Sequence, residues 1–271
     1  MAERRVEDVM GMPVAVEVRE GELAAGALDR VFAWLRFVDA TFSPYRPDSE
    51  VRRLDRGELA LDDAHPLVRE VLARCERLRV VTGGYFDARA RGPLDPCGLV
   101  KGWSVDRAGE LLAAAGGRRF CIDAGGDVLV RGGPWRVGVR HPHRPDRLAA
   151  VLSLTDAAVA TSGAYERGEH IVDPATGRPP AGVLSVTVVG PELARADAYA
   201  TAAFAMGADG PAWTATLRGY GAMTILAGGR VRSTAEFLRH CRGGSVAASL
   251  APVSAGRSGG GGSRRSTRAC A

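Results

Sequence analysis

The chain has 271 residues, 46% of them hydrophobic, which is enough apolar surface for a large globular core. Its formal net charge is +5, but four of its arginines lie in the Gly/Ser-rich segment 255–271, which holds no acidic residue. The rest of the chain is therefore close to neutral, at about +1. A neutral body lacks the basic surface of nucleic-acid-binding proteins, so we expect no nucleic-acid partner.

In the first half of the chain, hydrophobic periodicity predicts one strand and then mostly helices. A loop rich in glycine, proline and aspartate interrupts them at 82–98. In chain order, the predicted elements are a strand at 13–19, a long helix over 22–42, a short helix after the turn-rich start of 43–54, and helices over 66–81 and 99–117.

The second half begins with strands and ends with helices and a hairpin. Its predicted elements are two or three strands within 118–142, strands at 149–154, 157–161, 168–172 and 183–190, helices over 194–207 and near 210–218, and a hairpin around 221–233. Because strands and helices come in blocks, we predict an α+β fold, a single domain with a mainly antiparallel sheet and flanking helices. We expect this domain to span 1–245, followed by a flexible Gly/Ser/Arg-rich tail at 246–271.

The chain has no export-signal pattern at its start and no run of about 18 apolar residues. We therefore expect a cytoplasmic protein without stable membrane insertion.

Lys101 is the only lysine of the chain, since the other 35 basic residues are arginines. It lies in the first turn of the helix predicted over 99–117. A compact ammonium fits a narrow site that a planar guanidinium does not, so Lys101 is a candidate for a phosphate or ligand site. A genome-wide preference for arginine, with one lysine left by chance, is the alternative.

Asp197 and Thr201 are four residues apart in an alanine-rich predicted helix, so they share one face of it. A carboxylate and a hydroxyl offer two hard oxygens to Mg²⁺, which needs few protein ligands. A solvated aspartate and a threonine bonded back to its own helix are the alternative.

Further candidates lie in loops and at strand ends. His170 precedes an Asp-Pro turn, where an imidazole could act as a general base or be structural. The glycine pair in "DAGGDV" (123–128) could present N–H groups to an anion or form a tight hairpin. Tyr45 and the "GYFD" run (84–87) could stack on a flat ring or cover the core.

Several segments, taken together in their order along the chain, point to a protein family more specifically than any one of them does alone. In chain order they are "VMGMPVAVEV", "FSPYRPDSEVRRL", "TGGYFDARARGPLDPCGLVKGWSVDRAGELL", "CIDAGGDVLVRG", "VATSGAYERGEHIVDPATGRPP" and "SVTVVGPELARADAYATAAFAMG". This series resembles the successive motifs of the ApbE-type FAD:protein FMN transferases, from about residue 9 to about residue 240. The resemblance implies an Mg²⁺-dependent enzyme that takes FAD as substrate, moves FMN to a threonine or serine hydroxyl of an acceptor flavoprotein, and releases AMP.

The resemblance also implies roles for individual residues. The metal ligands of the family fall on Asp197 and Thr201, with a backbone contribution from Val100, which stands where the family usually has alanine. The histidine that activates the acceptor hydroxyl falls on His170, and Lys101 occupies the "KG" of the family's helix start. We expect Lys101 to neutralise phosphate charge or to orient Asp95, with a purely structural ion pair as the alternative. The implied flavin contacts are Met10, Tyr45, Tyr85, Phe86, Asp87 and Asp95.

Two other functions are compatible with these residues. One is an Mg²⁺-dependent FAD pyrophosphatase that gives FMN and AMP, and the other is a flavin-binding protein without turnover. A binding protein has no need of a base beside the phosphates, so Asp197, Thr201 and His170 favour an enzyme.

Overall fold

The computed structural model describes residues 2–164 and 171–241. Its centre is an eight-stranded sheet in the order β1-β2-β3-β4-β7-β8-β9-β10, in which every neighbouring pair is antiparallel. The strands are β1 (Glu3–Val9), β2 (Met12–Gly21), β3 (Gly117–Ala124), β4 (Asp127–Arg131), β5 (Trp135–His141), β6 (Arg144–Leu154), β7 (Ala157–Gly163), β8 (Val183–Gly190), β9 (Gly221–Leu226) and β10 (Val231–Ser233). Strands β5 and β6 form a separate two-stranded sheet.

Helices precede the central strands and also follow them. They are α1 (Ala27–Phe42), α2 (Glu50–Asp55), α3 (Pro66–Val81), α4 (Cys97–Ala114), α5 (Leu193–Ala205), α6 (Gly210–Thr214) and α7 (Ala235–His240), with 3₁₀ turns at Leu61–Asp63 and Gly207–Asp209. The predicted α+β class with a mainly antiparallel sheet is therefore confirmed. Among the helices of these two ranges, none is both long and apolar enough to cross a membrane.

The large sheet is buried on both faces because its central strands alternate between two cores. In β4, Leu129 belongs to the core beneath the helices, whereas Val128 and Val130 belong to the core beneath the β5–β6 hairpin. Trp135 is fully buried in that second core. Asp127 and Leu129 are two residues apart in β4, so the Asp127 side chain lies on the helical face of the sheet.

Helix α3 shows how local signals fix an element. His65 accepts a hydrogen bond from the N–H of Leu67, and Pro66 stands at the first helical position, where its missing N–H costs nothing. Val68, Val71, Cys75 and Leu78 recur at helical spacing and are buried. The helix predicted over 66–81 is observed with those limits.

Three elements differ from the sequence-based expectation. Strand β1 was not predicted because its charged sequence ERRVEDV lies mostly exposed at the sheet edge, where pairing with β2 stabilises it. The short helix α7 was also not predicted. The strand predicted at 168–172 is wrong for Ile171 and Val172, which lie outside any strand, and its other residues lie outside the described ranges, as does the predicted 245/246 boundary.

Candidate functional site

Lys101, the single lysine, lies between two buried carboxylates. Its Nζ is 2.5 Å from Oδ2 of Asp127 and 3.6 Å from Oδ1 of Asp197. The two aspartates are only 2% and 3% exposed, respectively. Helix α4, strand β4 and helix α5 each contribute one of the three residues. The ion pairs described for Lys101 thus join it to Asp127 and Asp197, not to Asp95 as one expectation had it.

The alternative of a solvated aspartate at position 197 is wrong. Asp197 is almost fully buried, and a buried charge needs a compensating partner to be tolerated. Lys101 supplies one such partner. The Asp197 carboxylate is therefore held in a defined position on the inner side of α5.

Asp127 is fixed from two directions. Its Oδ1 accepts a hydrogen bond of 3.0 Å from the backbone N–H of Thr161 in β7, while its Oδ2 faces Lys101. The position follows from the β3–β4 hairpin, where Gly125 and Gly126 form a two-residue turn with positive φ angles and Ala124 pairs with Asp127. The glycine pair of "DAGGDV" is thus a tight hairpin.

Asp123 stabilises the same hairpin, because its carboxylate accepts a hydrogen bond of 2.8 Å from the N–H of Gly126. Burial raises the pKa of Asp123, the Gly126 hydrogen bond opposes this, and the nearby negative charge of Asp127 adds to it.

Two hydroxyls meet between α5 and β7. Oγ1 of Thr201 is 3.4 Å from Oγ of Ser162, which lies in β7 on the helical face of the sheet. A Cβ atom at Gly98 would lie 3.6 Å from Thr201 Oγ1 and 3.1 Å from Phe86 Cε2. The start of α4, the third turn of α5 and the loop of Phe86 therefore meet at one place, with no side chain at Gly98 to fill it.

The loop between α3 and α4 is shaped by its own hydrogen bonds. The hydroxyl of Thr82 accepts from the N–H of Phe86 at 2.9 Å, and Phe86 is buried while Tyr85 packs partly buried against the same core. Phe86 therefore does cover the core. Tyr45 is 87% exposed and does not, so stacking on a ring remains the interpretation for that residue.

The two predicted carboxylates of this loop both hold its backbone. Asp87 and Asp95 each accept a hydrogen bond from the N–H two residues further along, at 2.7 and 3.0 Å. Asp55 of α2 accepts from the N–H of Leu94 at 2.8 Å, and this bond is the main reason why the pKa of Asp55 is lowered. The loop is thereby tied to α2, and its carboxylates have fixed positions.

Met10 occupies a strained backbone position at the edge of this region. It begins the Met10–Gly11 turn between β1 and β2 with φ of +55°, a conformation that is uncommon for residues other than glycine. Its Sδ lies 3.8 Å from the hydroxyl of Ser104 in α4. Strain of this kind is often retained at ligand sites.

Two further residues, Val100 and His170, were also expected to take part in the site. Val100 is buried in the first turns of α4, between Gly98 and Lys101, so only its backbone could offer an oxygen. His170 lies outside the described residues.

The donor set suits a small, hard divalent cation. The parts of the chain that the structure describes hold no group of three or more His, Cys, Asp or Glu side chains arranged for a metal. Mg²⁺ does not require such a group, because it binds through one or two carboxylates and takes water and substrate phosphate for the rest. The buried Asp197 carboxylate and the hydroxyls of Thr201 and Ser162 have the chemistry that this ion prefers.

The sequence-based reasoning missed Asp127 and Ser162. In the sequence, the segment that contains Asp127 stands out for its glycine pair and not for its carboxylate. The signal was present in the single lysine, since an ammonium that is largely removed from water needs acidic partners, but Asp127 comes from a strand distant in sequence. For Ser162 no signal in the sequence stands out.

The sequence model of the ApbE family matches residues 10–93 and 89–224 of this chain. The chain belongs to the ApbE family. Among its relatives is the FAD:protein FMN transferase of Treponema pallidum, 33% identical over 223 residues, a match that covers 69% of this chain and 60% of the relative. The FAD:protein FMN transferase of Rhodobacter capsulatus is 37% identical over 151 residues, or 50% of this chain and 29% of the relative. The chain thus spans less than two thirds of the length of these ApbE relatives.

Solved structures agree with the ApbE fold. The flavin transferase ApbE from Vibrio cholerae superposes with a TM-score of 0.77 at 22% identity, covering 89% of this chain and 100% of that one. The apo form of the Pseudomonas stutzeri flavinyl transferase ApbE gives a TM-score of 0.77 at 23% identity, with 89% and 96% coverage. At this identity the likeness shows the fold.

Proposed function

We propose that this ApbE-family chain is an FAD:protein FMN transferase that requires Mg²⁺, takes FAD as substrate and modifies a threonine or serine hydroxyl of an acceptor flavoprotein. The observation that carries the proposal is the buried Asp197 carboxylate, held by Lys101 and close in sequence to the Thr201 hydroxyl on the same helix. A buried carboxylate paired with a lysine is costly to desolvate and adds little to stability by itself. It is what a site for a cation and a pyrophosphate needs.

The residues of the candidate site would have different roles in binding the metal ion and in orienting its ligands. Asp197, Thr201 and the backbone of Val100 would hold Mg²⁺, which when bound neutralises pyrophosphate charge and favours departure of AMP. Lys101 would orient the Asp197 carboxylate and balance its charge, and Asp127 would in turn hold Lys101.

The flavin half of FAD would lie against the loop between α3 and α4 and the Met10 turn. The partly exposed ring of Tyr85 offers surface there, the exposed ring of Tyr45 offers more, and the buried ring of Phe86 anchors the loop to the core. Asp87 and Asp95 would contact the flavin from loop positions fixed by their own hydrogen bonds, in keeping with the family resemblance.

The reaction itself exchanges one phosphorus–oxygen bond for another. The acceptor hydroxyl oxygen attacks the FMN-side phosphorus, the bond to the bridging oxygen of the pyrophosphate breaks, and AMP leaves with the electron pair. His170 would take the hydroxyl proton, a contribution of about 10²–10⁴ in rate for a positioned base. Most of the remaining acceleration would come from positioning and electrostatics.

Incubation with FAD, Mg²⁺ and a flavoprotein domain bearing an acceptor threonine tests the proposal. We expect a fluorescent flavin band on the acceptor after denaturing electrophoresis, one AMP released for each flavin attached, and neither product with Asp197→Asn. FMN and AMP free in solution without a labelled acceptor would instead indicate a pyrophosphatase. FAD binding without AMP release would indicate a binding protein, and either result would overturn the transferase assignment.

A further inference from the structure

Helix α5, which carries Asp197 and Thr201, begins without a capping side chain of its own. Its N-cap residue, Glu192, makes no side-chain capping bond. The first N–H groups of any helix lack partners within the helix and need acceptors from elsewhere. The α5 N–H groups of Leu193 and Ala194 find theirs in Asp106, at 2.9 Å to Oδ1 and 2.8 Å to Oδ2.

Asp106 belongs to helix α4, so this cap joins two helices that are distant in sequence. Gly102, one turn before Asp106 on the same face of α4, makes the close approach possible. A Cβ atom at Gly102 would lie 2.6 Å from the carbonyl oxygen of Leu193 and 2.8 Å from Cα of Ala194, and both are backbone atoms that cannot turn aside. Gly102 and Asp106 together fix the start of α5 against the middle of α4.

The two halves of the candidate site lie on these same helices. Lys101 precedes Gly102 directly on α4, and Asp197 lies one turn after Leu193 on α5. The separation of 3.6 Å between Lys101 Nζ and Asp197 Oδ1 therefore depends on how α4 and α5 are docked. A small slide of α5 would move Asp197 and Thr201 away from Lys101 together.

We propose that Asp106 is a positioning residue of the active site, which sets the placement of Asp197 and Thr201 by capping α5 from the neighbouring helix. The inference rests on the proposed function, since it assigns Asp106 to the same Mg²⁺-dependent reaction. Loss of partners that orient metal ligands typically weakens metal binding by about 10–100-fold. Asp106 acts through the helix and not on a ligand atom, so we expect an effect of about tenfold.

The chain offers a matched control in Thr234. Its hydroxyl also accepts hydrogen bonds from two backbone N–H groups, that of Phe237 in the first turn of α7 and that of Ala222 in β9. Helix α7 packs over the second core and carries none of the candidate site residues. Thr234→Ala therefore removes a comparable cap without touching α5.

The experiment is an Mg²⁺ titration of the parent, Asp106→Ala, Asp106→Asn and Thr234→Ala. Two readouts are followed, FAD turnover and the rise in melting temperature that Mg²⁺ causes in the presence of FAD. We expect the Mg²⁺ concentration for half-maximal effect to rise about tenfold in Asp106→Ala and less in Asp106→Asn, whose amide oxygen can still accept one N–H. We expect it to stay unchanged in Thr234→Ala, although its melting temperature falls.

The outcomes separate this inference from the proposed function. A parent without turnover and without an Mg²⁺ effect would overturn both. A parent that responds to Mg²⁺, with both Asp106 variants retaining its half-maximal concentration, would overturn the positioning role alone. An equal shift in Thr234→Ala would do the same, because the effect would then follow general destabilisation.

Discussion

Replacing Lys101 by methionine should destabilise the fold strongly. The substitution keeps the length of the side chain but removes the charge between Asp127 and Asp197, which are 2% and 3% exposed. Breaking a buried ion pair from one side costs about 3–5 kcal/mol. Since the lysine side chain is itself 21% exposed, solvent screens part of the loss, and we expect about 3 kcal/mol.

The assay is urea unfolding followed by far-ultraviolet circular dichroism, with a double-mutant cycle. Combining Lys101→Met with Asp127→Asn should cost about 2 kcal/mol less than the sum of the single changes, because each alone leaves a charge behind. The control is Arg107→Met, which breaks an exposed ion pair with Glu110 on the same helix and should cost under about 1 kcal/mol. A Lys101→Met cost no greater than that of Arg107→Met, or an additive cycle, would refute the reasoning.

Three further predictions concern turnover and pH. Asp197→Asn should abolish AMP release from FAD at any Mg²⁺ concentration while circular dichroism stays native, and normal turnover at saturating Mg²⁺ would remove Asp197 from the site. His170→Ala should abolish covalent flavin transfer while FAD cleavage by water falls less, because water can lose its proton by other routes; the two rates are measured on one preparation, and unchanged transfer would make His170 structural. Burial raises the pKa of Asp106 to about 6, against the bonds from Ala194 and Leu193. The protonated form therefore stabilises the fold below pH 4, and this contribution is lost as pH rises to about 6. The unfolding free energy of the parent minus that of Asp106→Asn should thus fall across this window, by at most about 3 kcal/mol, and a difference that grows with pH would contradict the assignment.

The residues of a segment are sufficient to predict a helix or strand when that element does not depend on a particular neighbouring element. The helix over 66–81 carries its cap, its proline and its apolar stripe in its own sequence, and the strand over 183–190, VLSVTVVG, consists mostly of β-branched residues. Strand β1 is different, because its charged residues form a strand only through pairing with β2. The pairing with β2 determines that β1 is a strand, and the sequence pattern of β1 alone does not reveal this pairing.

The same division applies to the candidate site. Asp197 and Thr201 could be related to each other from sequence because a helix fixes the geometry of residues four apart. Asp127 and Asp106 could not, because their partners are 26 and 87 to 88 positions away, in Lys101 for the first and at the start of α5 for the second. The burial of Asp197 was also missed, because alanines on all sides of a helix say little about which face is covered.

The large sheet separates two regions with different freedom to change. Asp127, Ser162 and the helices of the candidate site lie on one face, while the β5–β6 hairpin packs on the other around Trp135. Substitutions on the outward face of that hairpin can therefore change the surface of the protein there without contact with the candidate site on the opposite face. Strand β4 is the exception, because its alternate residues pack in the two different cores. A substitution in β4 that shifts the strand therefore disturbs the packing on both faces of the sheet.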